Sequence, residues 1–289
     1  MRILLLGCNG LLGQNLIARA PSDSEIYGAS IEPDTYIKPL AEYQKINLGD
    51  QSALQSLISR VSPDLIINAA AITNVDLCET EREQCGLINR DAVGWMADTL
   101  VPLVHFSTDY VFNGEDGPYG ENDAVDPVSY YGQTKLESES LVASANPNSL
   151  IVRTMTLWGK GNQLRPSFVE FVKSNLTHKK PVNIVTDQLG NPTLASDLAL
   201  GVFALLKNKC KGIYNVCGSE IISRYDWAVK IADYYQLDKS FIQSCLTRDL
   251  NQAARRPLCS GLKIDKLIRD TGFTPGDVIQ QLQENDMAT

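Results

Sequence analysis

The 289-residue sequence is poor in the residues that build metal and disulfide sites. It has only two histidines, and its seven cysteines are odd in number and include no CxxC pair. A histidine-rich metal site, a zinc site and a disulfide framework are therefore not expected, and free thiols suit a reducing compartment. We predict a cytoplasmic protein with no bound metal.

The chain also lacks a basic block and a long apolar run. Its net charge of −8 argues against nucleic acid or an anionic membrane surface as the main partner. No stretch approaches the ~20 apolar residues that a membrane-spanning helix needs. The apolar start "MRILLLG" is too short for a signal peptide, because a glycine turn interrupts it.

Short apolar runs alternate with helical patterns along the chain. Apolar runs predict strands at 2–6, 25–30, 64–70, 101–107, 150–154 and 212–216, and helical patterns predict helices at 11–20, 50–61, 83–100, from about 131, 194–206 and 224–235. This order predicts an α/β fold, a Rossmann-type doubly wound parallel sheet with a smaller C-terminal α/β substrate lobe. We assign 1–154 and about 194–207 to the dinucleotide-binding domain, and 155–193 and 208–289 to the lobe.

A glycine-rich turn, "GCNGLLG", joins the first predicted strand to the first helix. Gly7, Gly10 and Gly13 have the GxxGxxG spacing that lets the backbone approach a pyrophosphate at a helix N-terminus. We predict a dinucleotide site there; the alternative is a glycine turn without a ligand. At the end of the second strand, Glu32 could bond the 2′-hydroxyl of NADH, whereas the small Ser30 leaves space for the 2′-phosphate of NADPH. We favour NADPH, with NADH as the alternative.

The segment "SYYGQTKLE" (129–137) holds two tyrosines and a lysine. On a helix, Tyr131 and Lys135 share a face because they are four residues apart, whereas Tyr130 and Lys135 do not. An ammonium near a phenol lowers the phenol pKa, so we expect Tyr131 to be a proton donor; the alternative is an ordinary surface helix. Ser107 and Thr108 end a central strand, where open α/β sheets bind ligands. Their hydroxyls could bond a substrate carbonyl or simply cap the strand end.

The glycine turn, the hydroxyl at a strand end and the Tyr131–Lys135 pair occur in the order of an extended short-chain dehydrogenase/reductase. The resemblance extends over nearly the whole chain. The segments "GCNGLLGQ", "NAAAITNVD", "STDYVFNG", "PYGENDAVDPVSYYGQTKLESE", "VRTMTLWG", "DQLGNPTLASDLA" and "RPLCSGL" resemble consecutive motifs of the dTDP-4-dehydrorhamnose reductase family.

The resemblance implies reduction of the C4 ketone of a nucleotide-linked 6-deoxyhexose by a nicotinamide cofactor. It implies that Tyr131 donates a proton, that Lys135 lowers the phenol pKa and binds the nicotinamide ribose, and that Thr108 orients the ketone. The cofactor-binding candidates are Gly7, Asn9, Gly10, Leu11, Leu12, Gly13, Ser30, Asn47, Leu48, Ala69, Ala70, Ala71, Thr73, Tyr131 and Lys135. The substrate-binding candidates are Val75, Asp109, Tyr110, Thr156, Asn191 and Arg256, with Asp187, Gln188, Pro192 and Thr193 bordering the cleft.

The chain departs from the family pattern at several positions. Thr156 stands where the family has a tryptophan that packs on the sugar, which puts the rhamnose precursor itself in question. Asn47 stands in place of an aspartate, and its amide can still bond adenine. Some members form dimers through a carboxylate-bound metal; Asn15 and Ser196 stand at two such positions, so we predict no metal there. The resemblance still allows a homodimer.

Two alternatives to a reductase remain open. The regulatory subunit of methionine adenosyltransferase has the same fold and binds the cofactor, but serves mainly as a partner protein. Sugar-nucleotide epimerases and dehydratases also have this fold and recycle a retained cofactor. The intact set of Thr108, Tyr131 and Lys135 favours a reductase and does not exclude a regulator.

Overall fold

The computed structural model describes residues 1–287. Its strands are β1 (Arg2–Leu6), β2 (Glu25–Ser30), β3 (Glu42–Lys45), β4 (Leu65–Asn68), β5 (Leu103–Thr108), β6 (Leu150–Thr154), β7 (Leu157–Trp158), β8 (Val182–Val185), β9 (Leu189–Gly190), β10 (Thr193–Leu194), β11 (Gly212–Asn215), β12 (Ile222–Ser223) and β13 (Ile242–Cys245). Its α-helices are α1 (Leu11–Arg19), α2 (Gln51–Val61), α3 (Val75–Thr80), α4 (Arg82–Gly86), α5 (Ala92–Ala97), α6 (Tyr130–Ala145), α7 (Phe168–Thr177), α8 (Ala195–Lys207), α9 (Arg224–Tyr234), α10 (Asp265–Thr271) and α11 (Val278–Met287). A π-helical turn (Leu87–Asp91) joins α4 to α5, and 3₁₀ turns occupy Asp109–Val111, Lys239–Phe241 and Thr247–Asp249.

The core is a seven-stranded sheet with the strand order β11-β6-β5-β4-β1-β2-β3. Every pair of neighbouring strands in it is parallel. Side chains alternate across the sheet, so that Leu5 of β1 packs with Leu16 of α1 on one face, while Leu4 packs with Leu54 of α2 on the other. The predicted Rossmann-type doubly wound sheet is confirmed.

Local sequence signals predicted many elements with accurate bounds. The strands expected at 2–6, 25–30 and 150–154 are β1, β2 and β6. Asp50 caps α2, because its carboxylate accepts a hydrogen bond from the Ala53 N–H at 3.0 Å. The helix expected at 83–100 is instead interrupted by the π-helical turn, and the polar edge strand β3 had no apolar run to predict it.

A second hydrophobic core lies in the C-terminal half. It includes Trp158, Trp227 and residues of α7, α9 and α11, and β13 pairs in parallel with β8 beside it. The polar tail beyond residue 236 contributes the regular elements β13, α10 and α11. The strand β11 lies within the 208–289 range expected for the lobe, yet it pairs with β6 in the main sheet, where Tyr214 joins the main core. The division into two domains otherwise stays a prediction.

None of the helices within residues 1–287 is long and apolar enough to cross a bilayer.

Candidate active site

The glycine turn borders a pocket of about 300 Å³ at the carboxyl ends of β1, β2 and β4. Gly7 has φ +79°, and a Cβ there would lie 2.7 Å from the Ala70 nitrogen. A Cβ on Gly13 would lie 2.2 Å from the Gly7 carbonyl oxygen, so the packing of α1 on the turn requires glycine. A Cβ on Gly10 would meet nothing closer than that oxygen, at 3.3 Å. Gly10 is therefore the glycine of this motif at which a side chain is least obstructed by the protein, although its Cβ would contact the Gly7 carbonyl tightly.

The N-terminus of α1 has no side-chain cap. Its first N–H groups, including those of Leu11 and Leu12, lack acceptors in a preceding turn and suit an anionic ligand. The Leu12 side chain itself is in the core, and Thr73 is exposed and does not line the pocket. The predicted cofactor positions that line the pocket are Gly7, Gly10, Ser30, Asn47, Leu48, Ala69, Ala70 and Ala71.

Asn9 positions the loop after β2 rather than lining the pocket. Its buried amide nitrogen donates to the Asp34 carbonyl oxygen at 2.9 Å, and its amide oxygen accepts from the Tyr36 N–H at 3.0 Å. The nitrogen also lies 3.3 Å from a carboxylate oxygen of Glu32, and the Ser30 hydroxyl donates to the same oxygen. Although partial burial acts to raise it, hydrogen bonds from Ser30 and Asn9 hold the pKa of Glu32 below its ordinary value. A carboxylate therefore borders the pocket.

Tyr131, and not Tyr130, faces the carboxyl end of β5. Tyr131 is buried, and the Thr108 hydroxyl is close enough to its phenol to act on it, lowering the phenol pKa against the effect of burial. Its ring packs edge-on against Tyr110, with centroids 5.5 Å apart. Tyr130 points away, with its ring centroid 4.9 Å from the Arg82 guanidinium. The one-residue offset on α6 thus separates the two tyrosines onto different faces.

The phenol of Tyr131 is a neutral proton donor in this structure. Burial raises its pKa above the ordinary value, and the negative charge of Asp109 adds to the effect. Desolvation therefore dominates the pKa of this phenol, and the lowering effect expected from Lys135 stays a prediction. The same burial lowers the pKa of Lys135 to about 8, against the opposing charges of Glu139 and Cys85.

His105 lies directly against Lys135, a contact that sequence reasoning missed. Its Nε2 is 3.1 Å from the Lys135 Nζ and 2.9 Å from the Ser138 Oγ. Burial and the charge of Lys135 lower the His105 pKa well below its ordinary value, so the imidazole is neutral. The available signal was a histidine inside an otherwise apolar strand, two residues before Ser107.

Asp109 and Tyr110, the residues that follow Thr108, line a small pocket of about 30 Å³. Asp109 is buried and accepts hydrogen bonds from the Thr108 hydroxyl at 3.0 Å and the Ser260 hydroxyl at 2.6 Å. Burial raises the pKa of Asp109 to about 6, against these hydrogen bonds. The lining includes the predicted Asp109, Tyr110, Thr156, Gln188 and Pro192, and also Arg224, Trp227 and Ser260, which were not predicted.

Asn191 and Val75 do not line this pocket. The buried Asn191 amide donates to the Gly218 carbonyl oxygen at 2.8 Å and accepts from the Leu262 N–H at 2.8 Å, so it joins segments of the chain. Val75 packs at the start of α3 in the cluster around Tyr131. Thr193 is likewise buried, in β10. The structure therefore gives Asn191 a packing role instead of the expected substrate contact.

Arg256 lines a separate pocket of about 540 Å³. Its guanidinium pairs with Asp76 at 2.7 Å, which fixes the side chain. Arg248, Arg255 and Asp187 line the same pocket. Three arginines around one pocket suit the phosphates of a nucleotide.

The two positions considered for a dimer metal hold neutral side chains that are already bonded. The Asn15 amide donates to the Leu11 carbonyl oxygen, and the Ser196 hydroxyl donates to Glu284. Within residues 1–287, no group of three or more His, Cys, Asp or Glu side chains is arranged to hold a metal ion. The absence of a metal stays a prediction.

Comparisons with known proteins agree with this geometry. The RmlD substrate binding domain family matches residues 1–285. A dTDP-4-dehydrorhamnose reductase of Sinorhizobium fredii is 34% identical over 94% of this chain and 92% of its own length. Methionine adenosyltransferase 2 subunit beta of Danio rerio is 28% identical over 92% of this chain and 84% of its own.

Solved structures of similar proteins share the whole fold. A dTDP-4-dehydrorhamnose reductase of Clostridium acetobutylicum is 30% identical, with a TM-score of 0.88 over 99% of this chain and 98% of that chain. The Bacillus anthracis enzyme, crystallised in complex with NADP, is 26% identical, with a TM-score of 0.87 over 100% of this chain and 99% of that chain.

Proposed function

The chain belongs to the RmlD substrate binding domain family, and we propose that it reduces the C4 ketone of a nucleotide-linked 4-keto-6-deoxy sugar with NADPH. The predicted resemblance to dTDP-4-dehydrorhamnose reductases is thereby confirmed. The observation that carries the proposal is the meeting of Thr108 and Tyr131 at the carboxyl end of β5. The glycine-turn pocket opens along the same end of the sheet.

The residues present fit a dinucleotide cofactor. Gly10 lines the pocket without a side chain, and the uncapped N-terminus of α1 would receive the pyrophosphate. Ala69 and Ala71 are small enough for a cofactor to lie along the sheet edge. NADPH supplies the hydride when bound. The NADP complex of the Bacillus anthracis relative supports NADPH, and NADH is the alternative because Glu32 borders the pocket.

Tyr131 and Thr108 would hold the ketone oxygen. As the carbonyl is reduced, negative charge develops on this oxygen, and the two hydroxyls are in place to stabilise it. Tyr131 then gives its proton to the alkoxide. Lys135, when charged, would stabilise the phenolate that remains. In this structure the Thr108 hydroxyl donates its one proton to Asp109 at 3.0 Å, so it would turn from Asp109 to the ketone oxygen when the substrate binds.

The substrate would extend over two neighbouring pockets. The sugar would lie by Tyr131 with one substituent in the pocket that begins at Asp109. The nucleotide phosphates would lie in the pocket with Arg256, which follows Arg255 and is fixed by Asp76. Pro257 and Leu258 connect the linings of the two pockets.

The experiment measures oxidation of NADPH with dTDP-4-keto-6-deoxy sugars of both C5 configurations. Tyr131→Phe should lower kcat by about 10²- to 10⁴-fold, because the proton donor is lost. Tyr130→Phe is the matched control, since that ring faces Arg82, and its activity should stay close to wild type. A larger loss in Tyr130→Phe would contradict the assignment.

A second candidate function is a cofactor-binding partner protein, which the similarity to methionine adenosyltransferase 2 subunit beta supports. It predicts tight NADPH binding in calorimetry with no turnover of any 4-keto sugar. An epimerase or dehydratase would instead keep its cofactor bound through purification. The reductase proposal predicts protein free of nicotinamide absorbance and NADPH consumed in proportion to ketone.

We also propose that the protein works in the cytoplasm. All seven cysteines are free thiols, which suits a reducing compartment. The net charge of −8 argues against nucleic acid and an anionic membrane surface as the main partner, and a nucleotide-linked sugar is the proposed one. A homodimer is the proposed assembly, and light scattering on the purified chain tests it.

A further inference from the structure

Arg224 begins α9 and lines the small pocket that starts at Asp109. Its Nη2 donates to the Thr156 hydroxyl at 3.1 Å, the one hydrogen bond that residues 1–287 provide for this guanidinium. A guanidinium carries five N–H donors. The remaining donors are therefore available in a partly buried pocket next to the proposed reaction centre.

No carboxylate neutralises Arg224 at close range. Within residues 1–287 it forms no ion pair of 4.0 Å or less. Asp109 attracts it electrostatically, but the Asp109 oxygens accept from the Thr108 and Ser260 hydroxyls instead. Donors left without acceptors in a half-buried site are costly, so an oxygen from a ligand or water is expected there.

Two further features of the same pocket indicate a ligand. Thr156 has φ +46°, a left-handed conformation that is rare for a β-branched residue and that clusters at functional sites. Its hydroxyl is the acceptor that holds Arg224, a task that the family's tryptophan cannot perform because an indole only donates. The indole N–H of Trp227, another lining residue, is buried with no partner.

We propose that Arg224 binds the C3 hydroxyl of the sugar, an inference that rests on the proposed function. Asp109 and Tyr110 follow Thr108 directly, so a group that enters this pocket is attached beside the carbonyl that Thr108 holds. In a 4-keto-6-deoxyhexose, C3 carries a hydroxyl, whereas C5 carries the ring oxygen and a methyl. The free volume of about 30 Å³ admits one or two waters, hence a hydroxyl and not a pyranose ring.

The test compares kcat/KM for a dTDP-4-keto-6-deoxyhexose and its 3-deoxy analogue in wild type and Arg224→Met. Methionine keeps an unbranched side chain and removes all five donors. We expect Arg224→Met to lower kcat/KM for the parent sugar by about 10- to 100-fold, and to change it little for the 3-deoxy analogue. Wild type should prefer the parent sugar, and the variant should lose that preference. Arg269→Met, an exposed arginine on α10, is the matched control and should behave like wild type.

The outcomes separate this inference from the proposed function. Wild type without turnover of any 4-keto sugar would refute the function. If wild type turns over the sugars and Arg224→Met loses kcat/KM equally on both, or loses none, only the C3 assignment is refuted. If Arg224→Met does not fold, Thr156→Val tests the same contact, because it removes the acceptor that holds the guanidinium. It should reduce the preference for the parent sugar several-fold, and an unchanged preference would contradict the proposal.

Discussion

Replacing Lys135 by methionine should separate the stability cost of the buried ammonium from its role in the reaction. Lys135 is 2% exposed, and burial lowers its pKa from 10.5 to about 8. Near neutral pH, charging this lysine is therefore harder in the folded protein than in the unfolded chain by about 3 kcal/mol. The groups that face it are Glu139 and Cys85, which favour the charge, and the neutral His105.

The sign of the pH dependence follows from the lowered pKa. Between pH 8 and 10.5 the unfolded chain holds the lysine proton and the folded protein does not, so wild-type stability rises with pH through that window. Methionine has no proton to lose and is close to lysine in length. We expect Lys135→Met to be more stable than wild type by up to about 3 kcal/mol at pH 7, about 2 at pH 9 and less than about 1 at pH 10.

Urea unfolding followed by circular dichroism at pH 7, 9 and 10 measures this difference. Reductase activity should be lost in Lys135→Met although the protein is more stable. Lys207→Met, at the exposed end of α8, is the control and should stay within about 0.5 kcal/mol of wild type at each pH. His105 keeps Ser138 as a partner at 2.9 Å, so no buried polar atom is orphaned. A variant less stable than wild type at pH 7, or a difference independent of pH, would refute the reasoning.

Three further outcomes are expected. Gly10→Val should weaken NADPH binding in calorimetry by at least about tenfold while changing the free energy of unfolding by less than about 1 kcal/mol. Gly13→Ala should instead destabilise the fold. Similar effects of the two substitutions would contradict the phosphate-loop assignment. The rate of ketone reduction should fall below about pH 6, as Asp109 gains a proton, and above about pH 8, as Lys135 loses one; a flat profile would remove both groups from the mechanism. Glu32→Ala should raise the affinity for NADPH relative to NADH several-fold, because a carboxylate repels the 2′-phosphate, and an unchanged ratio would place Glu32 away from the ribose.

Local patterns in the sequence determined the central strands of the main sheet and the register of α6. The continuous apolar runs of β4, β5 and β6 predicted strands covered on both faces, because a buried parallel strand has no polar face. The offset between Tyr130 and Tyr131 was enough to decide which ring faces Thr108, since the period of an α-helix is fixed. The spacing of the glycines placed the turn at the start of α1 for the same local reason.

Tertiary structure alone decided the charges and partners within the site. The pKa of Tyr131 depends on how completely its surroundings exclude water, and residue spacing carries no information about that exclusion. Arg224 and Thr156 are 68 residues apart, so their contact could not be read from any local pattern. Asn191 likewise joins segments around Gly218 and Leu262. Spacing along the chain determines which side chains share a helix or strand face, whereas packing of distant segments determines which of them are dry, paired or free to bind.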